Sequence, residues 1–232
     1  MAYLRQVHSL LLLLPLLAAH AADNIGELCG GDKNLTTAQS SNLARVLQQL
    51  TSTIPSTHFA TSTSGTGSDK IHGLAQCRGD IKAEDCSACI SAAATQLPSD
   101  CSARSDARIW FDYCFLHYST KNFIGKLDTG YGIFLYNVND INATNPEKFD
   151  EEVGGLLKRV REEAVVPENR GLGKGQTLFE SSFVTIYGLV QCNGDLSPLL
   201  CDQCLSIGIG KLPEFCKGKV GCQAIYSSCK VR

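Results

Sequence analysis

Histidine is scarce in this chain. Beyond residue 22 only His58, His72 and His117 remain, and neither a Gly-x-Ser-x-Gly elbow nor a His-Glu-x-x-His helix accompanies them, so the motifs of serine and zinc hydrolases are missing. A charge excess is missing too. The 21 Lys and Arg stand against 23 Asp and Glu, which leaves no electrostatic footprint for nucleic acid. The local charge runs are Asp150/Glu151, Lys158, Arg159, Arg161 and Glu162/Glu163, and all read as solvated helix surface. Long hydrophobic runs are absent after the N-terminus and no lipidation tail is visible, so no membrane span is expected in the mature chain.

The one apolar run, Leu10 to Ala19, follows Arg5 and precedes the small-residue stretch AAHAAD. It is short for a bilayer span and has the layout of a secretory signal peptide over residues 1–22, cleaved near Ala21 or Ala22. A secreted, extracellular protein is the expectation. Asn34-Leu35-Thr36 and Asn142-Ala143-Thr144 are N-glycosylation acceptors for that route.

What the chain has in quantity is cysteine. All 12 lie after the leader, and an even count in an oxidising compartment favours six disulfides. The stretch IHGLAQCRGDIKAEDCSAC from Ile71 recurs as IYGLVQCNGDLSPLLCDQC from Ile186, an offset of 115. That offset aligns Cys77, Cys86, Cys89, Cys101 and Cys114 with Cys192, Cys201, Cys204, Cys216 and Cys229. It also aligns Gly73 with Gly188, Gln76 with Gln191, Gly79-Asp80 with Gly194-Asp195, and Leu97-Pro98 with Leu212-Pro213. Only Cys29 and Cys222 lack counterparts. A period this long is a duplicated domain, and a mature chain of about 210 residues suits two domains of about 100 each. The expected division is a first domain over 23–130, a linker with a strand over 131–144, and a second domain over 145–232.

Periodicity places the elements. Ser40 or Ser41 is expected to cap a helix whose stripe is Leu43, Val46, Leu47 and Leu50, ended by Pro55. Ile71 to Gln76 reads as a strand and Arg78 to Lys82 as a turn. Ala83 to Leu97 reads as a second helix stopped by Pro98, with Cys86 and Cys89 on its inner face. Arg108 to Tyr118, RIWFDYCFLHY, reads as a single strand. In the second copy Asn145-Pro146 opens a helix with the stripe Phe149, Val153, Leu156, Leu157 and Val160, and Ser197-Pro198 opens another. TLFESSFVTIYGLVQC supplies the strands between them, while YGIFLYNV reads as a strand that either domain could claim. The last strand is expected to be cut short, because the sequence stops at Arg232, three residues after Cys229. That end fits both a natural short form and the ectodomain of a longer receptor kinase.

The spacing Cys-x8-Cys-x2-Cys, preceded by HGLAQC and YGLVQC, resembles the ginkbilobin-type, or salt-stress-response/antifungal, domain of plants. The tandem arrangement behind a signal peptide is similar to the cysteine-rich repeat secretory proteins. The resemblance implies an α+β fold, with each domain an antiparallel β-sheet packed with two α-helices and stapled by disulfides. It implies the pairs Cys29–Cys101, Cys77–Cys86 and Cys89–Cys114 in the first domain. By the same rule it implies Cys192–Cys201 and Cys204–Cys229 in the second, and leaves Cys216 to pair with Cys222. The two Cys-x2-Cys units lie 112 residues apart in separate copies, each with covalent partners in its own domain, so neither a metal site nor redox chemistry is expected. No cofactor and no enzymatic activity are expected.

Two functions follow from the resemblance. The family's namesake binds mannose through an Asn, an Arg and a Glu; the corresponding positions here hold Gly30, Arg108 and Ser119, so only the arginine fork is retained. The second copy has Gln223 in place of that arginine. Trp110, Tyr113 and Tyr118 could stack on sugar faces, although aromatic residues in a strand more often belong to the core. Mannose-containing glycans of fungi are therefore one class of partner, in a defence role. The alternative is a non-catalytic interaction module that acts with cell-surface receptor kinases or plasmodesmal proteins.

Overall fold

The structure, a computed structural model, describes residues 22–142, 145–179 and 184–232. The signal peptide expected over residues 1–22 lies outside them except for Ala22, and so do Ala143 and Thr144 of the second glycosylation tripeptide. The first copy runs β1 (Asn24–Asn34), α1 (Thr37–Thr57), β2 (Phe59–Ser64), β3 (Ile71–Cys77), α2 (Ala83–Asp100), β4 (Arg104–Phe111) and β5 (Cys114–Ser119). The second runs β6 (Gly132–Tyr136), α3 (Pro146–Ala164), β7 (Leu172–Phe179), β8 (Val184–Cys192), α4 (Pro198–Cys216), β9 (Cys222–Tyr226) and β10 (Cys229–Val231). Each copy forms a five-stranded antiparallel sheet, in the orders β1-β4-β5-β3-β2 and β6-β9-β10-β8-β7. The same α+β unit is thus built twice. The strand in YGIFLYNV, β6, pairs with β9 and is the edge of the second sheet.

Local chemistry explains the element ends, and in three places it differs from the sequence expectation. Helix α1 is capped by Thr36 and not by Ser40 or Ser41: Thr36 Oγ1 accepts from Gln39 N at 3.2 Å while Thr36 N donates to Gln39 Oε1 at 2.9 Å, a reciprocal capping box. Pro55 and Pro98 do not stop α1 and α2; both sit inside the last turn. A proline there forfeits one backbone bond, and the turn holds because Ile54 and Leu97 are fully buried just before it. The run Arg108 to Tyr118 is a hairpin and not one strand. Asp112 and Tyr113 form its turn, with Arg78 N donating to Tyr113 O at 2.8 Å. The lone carboxylate among aromatic residues was the available sign of that turn.

The helices of each copy cover one face of its sheet. In the first copy Val46, Leu50 and Ile54 of α1 and Ile90, Ala93 and Leu97 of α2 pack on Ala75, Ala107, Ile109, Leu116 and Tyr118. Cys86 and Cys89, three apart on α2, bond to different strands, Cys77 of β3 and Cys114 of β5, so the helix is fixed to the sheet at two points. Cys201 and Cys204 repeat this with Cys192 and Cys229. Cys29 joins Cys101, and Cys216 joins Cys222.

Strand alternation turns the remaining side chains to the opposite faces, and there the two sheets meet. Leu74, Trp110 and Phe115 of the first pack with Ile133 and Ile225 of the second, and Trp110 Nε1 donates to Tyr226 O at 3.2 Å. The result is four layers: helices, sheet, sheet, helices. Residues duplicated in sequence make duplicated contacts across the junction. Gly79 N donates to Gln191 Oε1 at 3.0 Å, and Gly194 N donates to Gln76 Oε1 at 3.0 Å. The shared Gln and Gly of the two motifs thus form a reciprocal exchange, the signature of two equivalent units related by an approximate twofold.

Candidate functional site

The three positions implied for sugar contact do come together. Gly30 of β1 lies in register with Asp106 of β4, and Asp106 with Ser119 of β5. Arg108 is two residues further along β4, on the same face. That face is the one turned to the second domain.

Its chemistry is that of a closed network. Arg108 Nη2 donates to Asp106 Oδ1 at 2.9 Å, and Nη1 donates to Ser227 Oγ of the second domain at 2.8 Å and to Asp128 in the segment that crosses between the domains. Its side chain is 13% exposed, and the buried Nε alone has no partner. Ser119 is buried, its hydroxyl accepting from Lys121 N at 3.1 Å. At Gly30 a Cβ would touch Asp106 Oδ1 at 3.2 Å, so the row that should reach a ligand is occupied by a carboxylate. Trp110 and Tyr118 are buried, and Tyr113 lies beneath the guanidinium of Arg78 at 4.9 Å. None of the three aromatics presents an open face for stacking.

Histidine 117, on the same face, is nearly fully buried. Its ring stacks on Phe123 at 3.7 Å and its Nε2 lies 3.3 Å from Asp106 Oδ2. Burial holds the imidazole below its usual range, the carboxylate of Asp106 opposing, so it is neutral at pH 7 and donates to Asp106. Burial also works against the charge of Asp106, but hydrogen bonds from His117 and Arg108 outweigh it and hold the carboxyl well below the ordinary range. Among the described residues every charge here has a partner, and no nucleophile stands beside a base.

A second ionic cluster sits at the β4–β5 turn. Asp112 accepts from Arg78 Nη1 at 3.1 Å and from Arg232 Nη1 at 3.2 Å, and its backbone carbonyl accepts from Lys230 Nζ at 3.1 Å. Burial presses Lys230 down to about 8, with Asp112 opposing. Despite its own burial Asp112 is held below the usual carboxylate range by Lys230, Arg232 and Arg78. At the opposite turn Ser227 and Ser228 of β9–β10 reach back to Arg108 and to Asp128 N, the latter at 2.8 Å. Each hairpin turn therefore grips the other domain.

Sequence reasoning found Arg108, Gly30 and Ser119 but not Asp106, Asp128 or Ser227. The crossing segment, residues 120–131, carried no periodic signal. Asp195 was visible only as a repeat of Asp80; in space Asp80 pairs with Arg78, whereas Asp195 accepts from Gly125 N at 2.7 Å. Burial, which that bond only partly offsets, raises the carboxyl of Asp195 above its usual range.

Comparison with known proteins agrees with this architecture. The family model described as salt stress response/antifungal matches residues 28–121 and again 137–232. Cysteine-rich repeat secretory protein 55 of Arabidopsis thaliana is 46% identical over 230 residues, 97% of this chain and 87% of that protein. An antimicrobial ginkbilobin-2-like protein of Castanea crenata is 36% identical over 228 residues, 97% of this chain and 93% of its own. The crystal structure of the tandem DUF26 ectodomain of the Arabidopsis thaliana cysteine-rich receptor-like protein PDLP8 superposes with a TM-score of 0.79 at 26% identity, over 90% of this chain and 96% of that one. With the family model matched twice across most of its length, and with two such sheets stapled and docked face to face, the chain belongs to the salt stress response/antifungal family in its tandem-domain form.

Proposed function

We propose that this chain works outside the cell, in the apoplast, as a non-catalytic interaction module of the stress and defence response, with cell-surface receptor proteins as its partners. The observation that carries the reading is Arg108. The single sugar-contact residue retained from the family is spent on Asp106, Asp128 and Ser227, where it ties the two domains. The names of the relatives, a secretory protein and a receptor-like ectodomain, support an extracellular role. Asn34 is exposed at the end of β1 and open to a glycan, while Thr36 of the same tripeptide caps α1.

Two measurements separate this reading from mannose binding. On an array of mannose-containing and fungal glycans the protein is expected to show no signal, and Arg108→Ala is expected to lower the melting temperature without changing the array. Proximity labelling on the plant cell surface is expected to mark receptor proteins. Mannan binding that vanishes in Arg108→Ala, with the fold intact by circular dichroism, would refute the interaction-module reading in favour of a lectin.

A further inference from the structure

The two copies connect their first helix to the next strand differently. His58 alone stands between α1 and β2, whereas residues 165–171 stand between α3 and β7. The longer connection holds Val165 and Val166, a single 3₁₀ turn over Pro167–Asn169, then Arg170 and Gly171. It walls one side of a cleft of about 570 Å³ at the junction of the two domains.

The rest of the cleft is rigidly built. Gln76 and Gln191, locked by their bonds from Gly194 and Gly79, line it. Phe59 and Leu172, which stand opposite those two glutamines on β2 and β7, line it as well. The ring of Phe59 lies so close to Gly194 that a Cβ there would meet it at 2.7 Å, an approach only glycine admits. The cleft is therefore preformed, largely apolar, and of a size that encloses small ligands.

Two features give the sign of that ligand. Arg170 lines the cleft in the left-handed conformation, φ 50° and ψ 39°, where glycine or asparagine is accommodated at lower cost, so the backbone is not the reason for an arginine. Nor is a neighbouring acid. Arg161 is paired with Asp202, but among the described residues no carboxylate pairs with Arg170. The opposite edge lacks acids as well: the first turn of α4 is Pro198, Leu199 and Leu200, where α2 of the first copy has Ala83, Glu84 and Asp85. Pro198 lines the cleft and Leu199 beside it is 67% exposed. Arg170 is the only lysine, arginine or carboxylate among the described residues that line the cleft; Glu168 of the 3₁₀ turn is exposed and does not line it.

We infer that this cleft binds a small amphipathic carboxylic acid. The planar fork of Arg170 takes both carboxylate oxygens, and the apolar body lies against Val166, Phe59 and Leu172. One positive charge suits a monoanion and leaves a dianionic phosphate half neutralised. The inference goes beyond the interaction-module reading, and receptor capture and ligand binding can each fail without the other.

The probe is naphthoate, titrated into the full chain by calorimetry, with naphthylmethanol as its uncharged isostere. Saturable one-to-one binding of the acid is expected, with amide shifts at Val166, Arg170 and Gly194, and about fivefold weaker binding of the alcohol. Arg170→Gln is expected to abolish that preference by weakening the acid alone. Val166→Glu, which adds a negative charge to the apolar wall, is expected to weaken the acid at least about tenfold. Both positions are exposed, so the fold is expected to stay intact by circular dichroism. No saturation up to about 1 mM, shifts confined to other parts of the molecule, or equal affinity for acid and alcohol in the native chain would overturn the site. So would an Arg170→Gln protein that still prefers the acid.

Discussion

The two copies agree at their centres and part at their edges. Both fix the second helix to the sheet with disulfides closing the same spans, 9 and 25 residues, and both send a Gln side chain to the Gly of the other copy. At the margins they differ. In the first, Cys29 ties edge strand β1 to the end of α2 across 72 residues; in the second, Cys216 closes a span of only 6 to Cys222, and edge strand β6 has no covalent tie. Arg108 bridges the domains where Gln223 leaves a buried oxygen unpaired. A duplicated scaffold therefore keeps the contacts at its centre and varies those at its margins.

If the inter-sheet layer holds the copies together, its largest side chain should matter most. Trp110→Ala removes a ring that is 2% exposed and packs on Phe115 and Tyr131. It is expected to cost about 3–5 kcal/mol and to expand the particle in small-angle scattering. Ile225, at the repeat position of Trp110, is expected to cost less as Ile225→Ala. Equal costs, or a compact Trp110→Ala, would mean that the layer is passive filling.

The disulfides sharpen the same contrast. On a chain-entropy estimate a bridge closing 72 residues stabilises by about 4 kcal/mol and one closing 6 by about 2. Replacing Cys29 and Cys101 with Ser is thus expected to lower the urea midpoint about twice as far as replacing Cys216 and Cys222. A reversed order would show that strain or residual unfolded structure governs, and not loop length.

Much of this fold was legible because cysteine, glycine and proline carry geometry in their spacing. The duplication and the helix stripes followed from offsets and from period 3.6, and the α+β class from the family resemblance that the cysteine spacing carried. What stayed hidden was long-range or locally overridden. The edge strands β1 and β2 are polar and half-exposed, so no alternation announced them. Thr36 outcompeted Ser40 as a cap because Gln39 completes a capping box. The fate of Arg108 depended on Asp128, 20 residues away, and on Ser227, 119 away, and no pattern within one copy joins those positions.

The reciprocal Gln contacts offer a finer test of equivalence. Gln76 Nε2 donates to His58 O and Cys77 O, and Gln191 Nε2 donates to the same Cys77 O. Gln76→Ala and Gln191→Ala each remove the acceptor of a glycine N–H in the other copy and a donor to the buried Cys77 carbonyl, and are expected to cost about 1–2 kcal/mol, Gln76→Ala the more. Because they share an acceptor, the double variant is expected to depart from additivity by at least about 0.5 kcal/mol. Strict additivity in thermal or urea unfolding would show that the two halves of the exchange act independently.

The smallest effect is a pH dependence that belongs to the first copy alone, since His117 has no histidine counterpart. Its folded pKa is lowered from 6.5, chiefly by burial. Below 6.5 the unfolded chain takes up a proton that the folded chain resists, so stability is complete above that pH and declines as the pH falls toward the folded value. For one imidazole that protonates only when unfolded, the loss from pH 7 to pH 6 is at most about 0.7 kcal/mol. His72 is shifted the same way by burial and Lys70 and adds a lesser slope. Asp106, held low, contributes stability above 3.8 that is lost only in stronger acid. Comparing urea midpoints at the two pH values for the native chain and for His117→Gln isolates the imidazole. The variant is expected to flatten most of the decline. An unchanged slope would place the acid sensitivity in His72 or elsewhere and leave the Asp106–Arg108–Asp128 bridge indifferent to the proton at its centre.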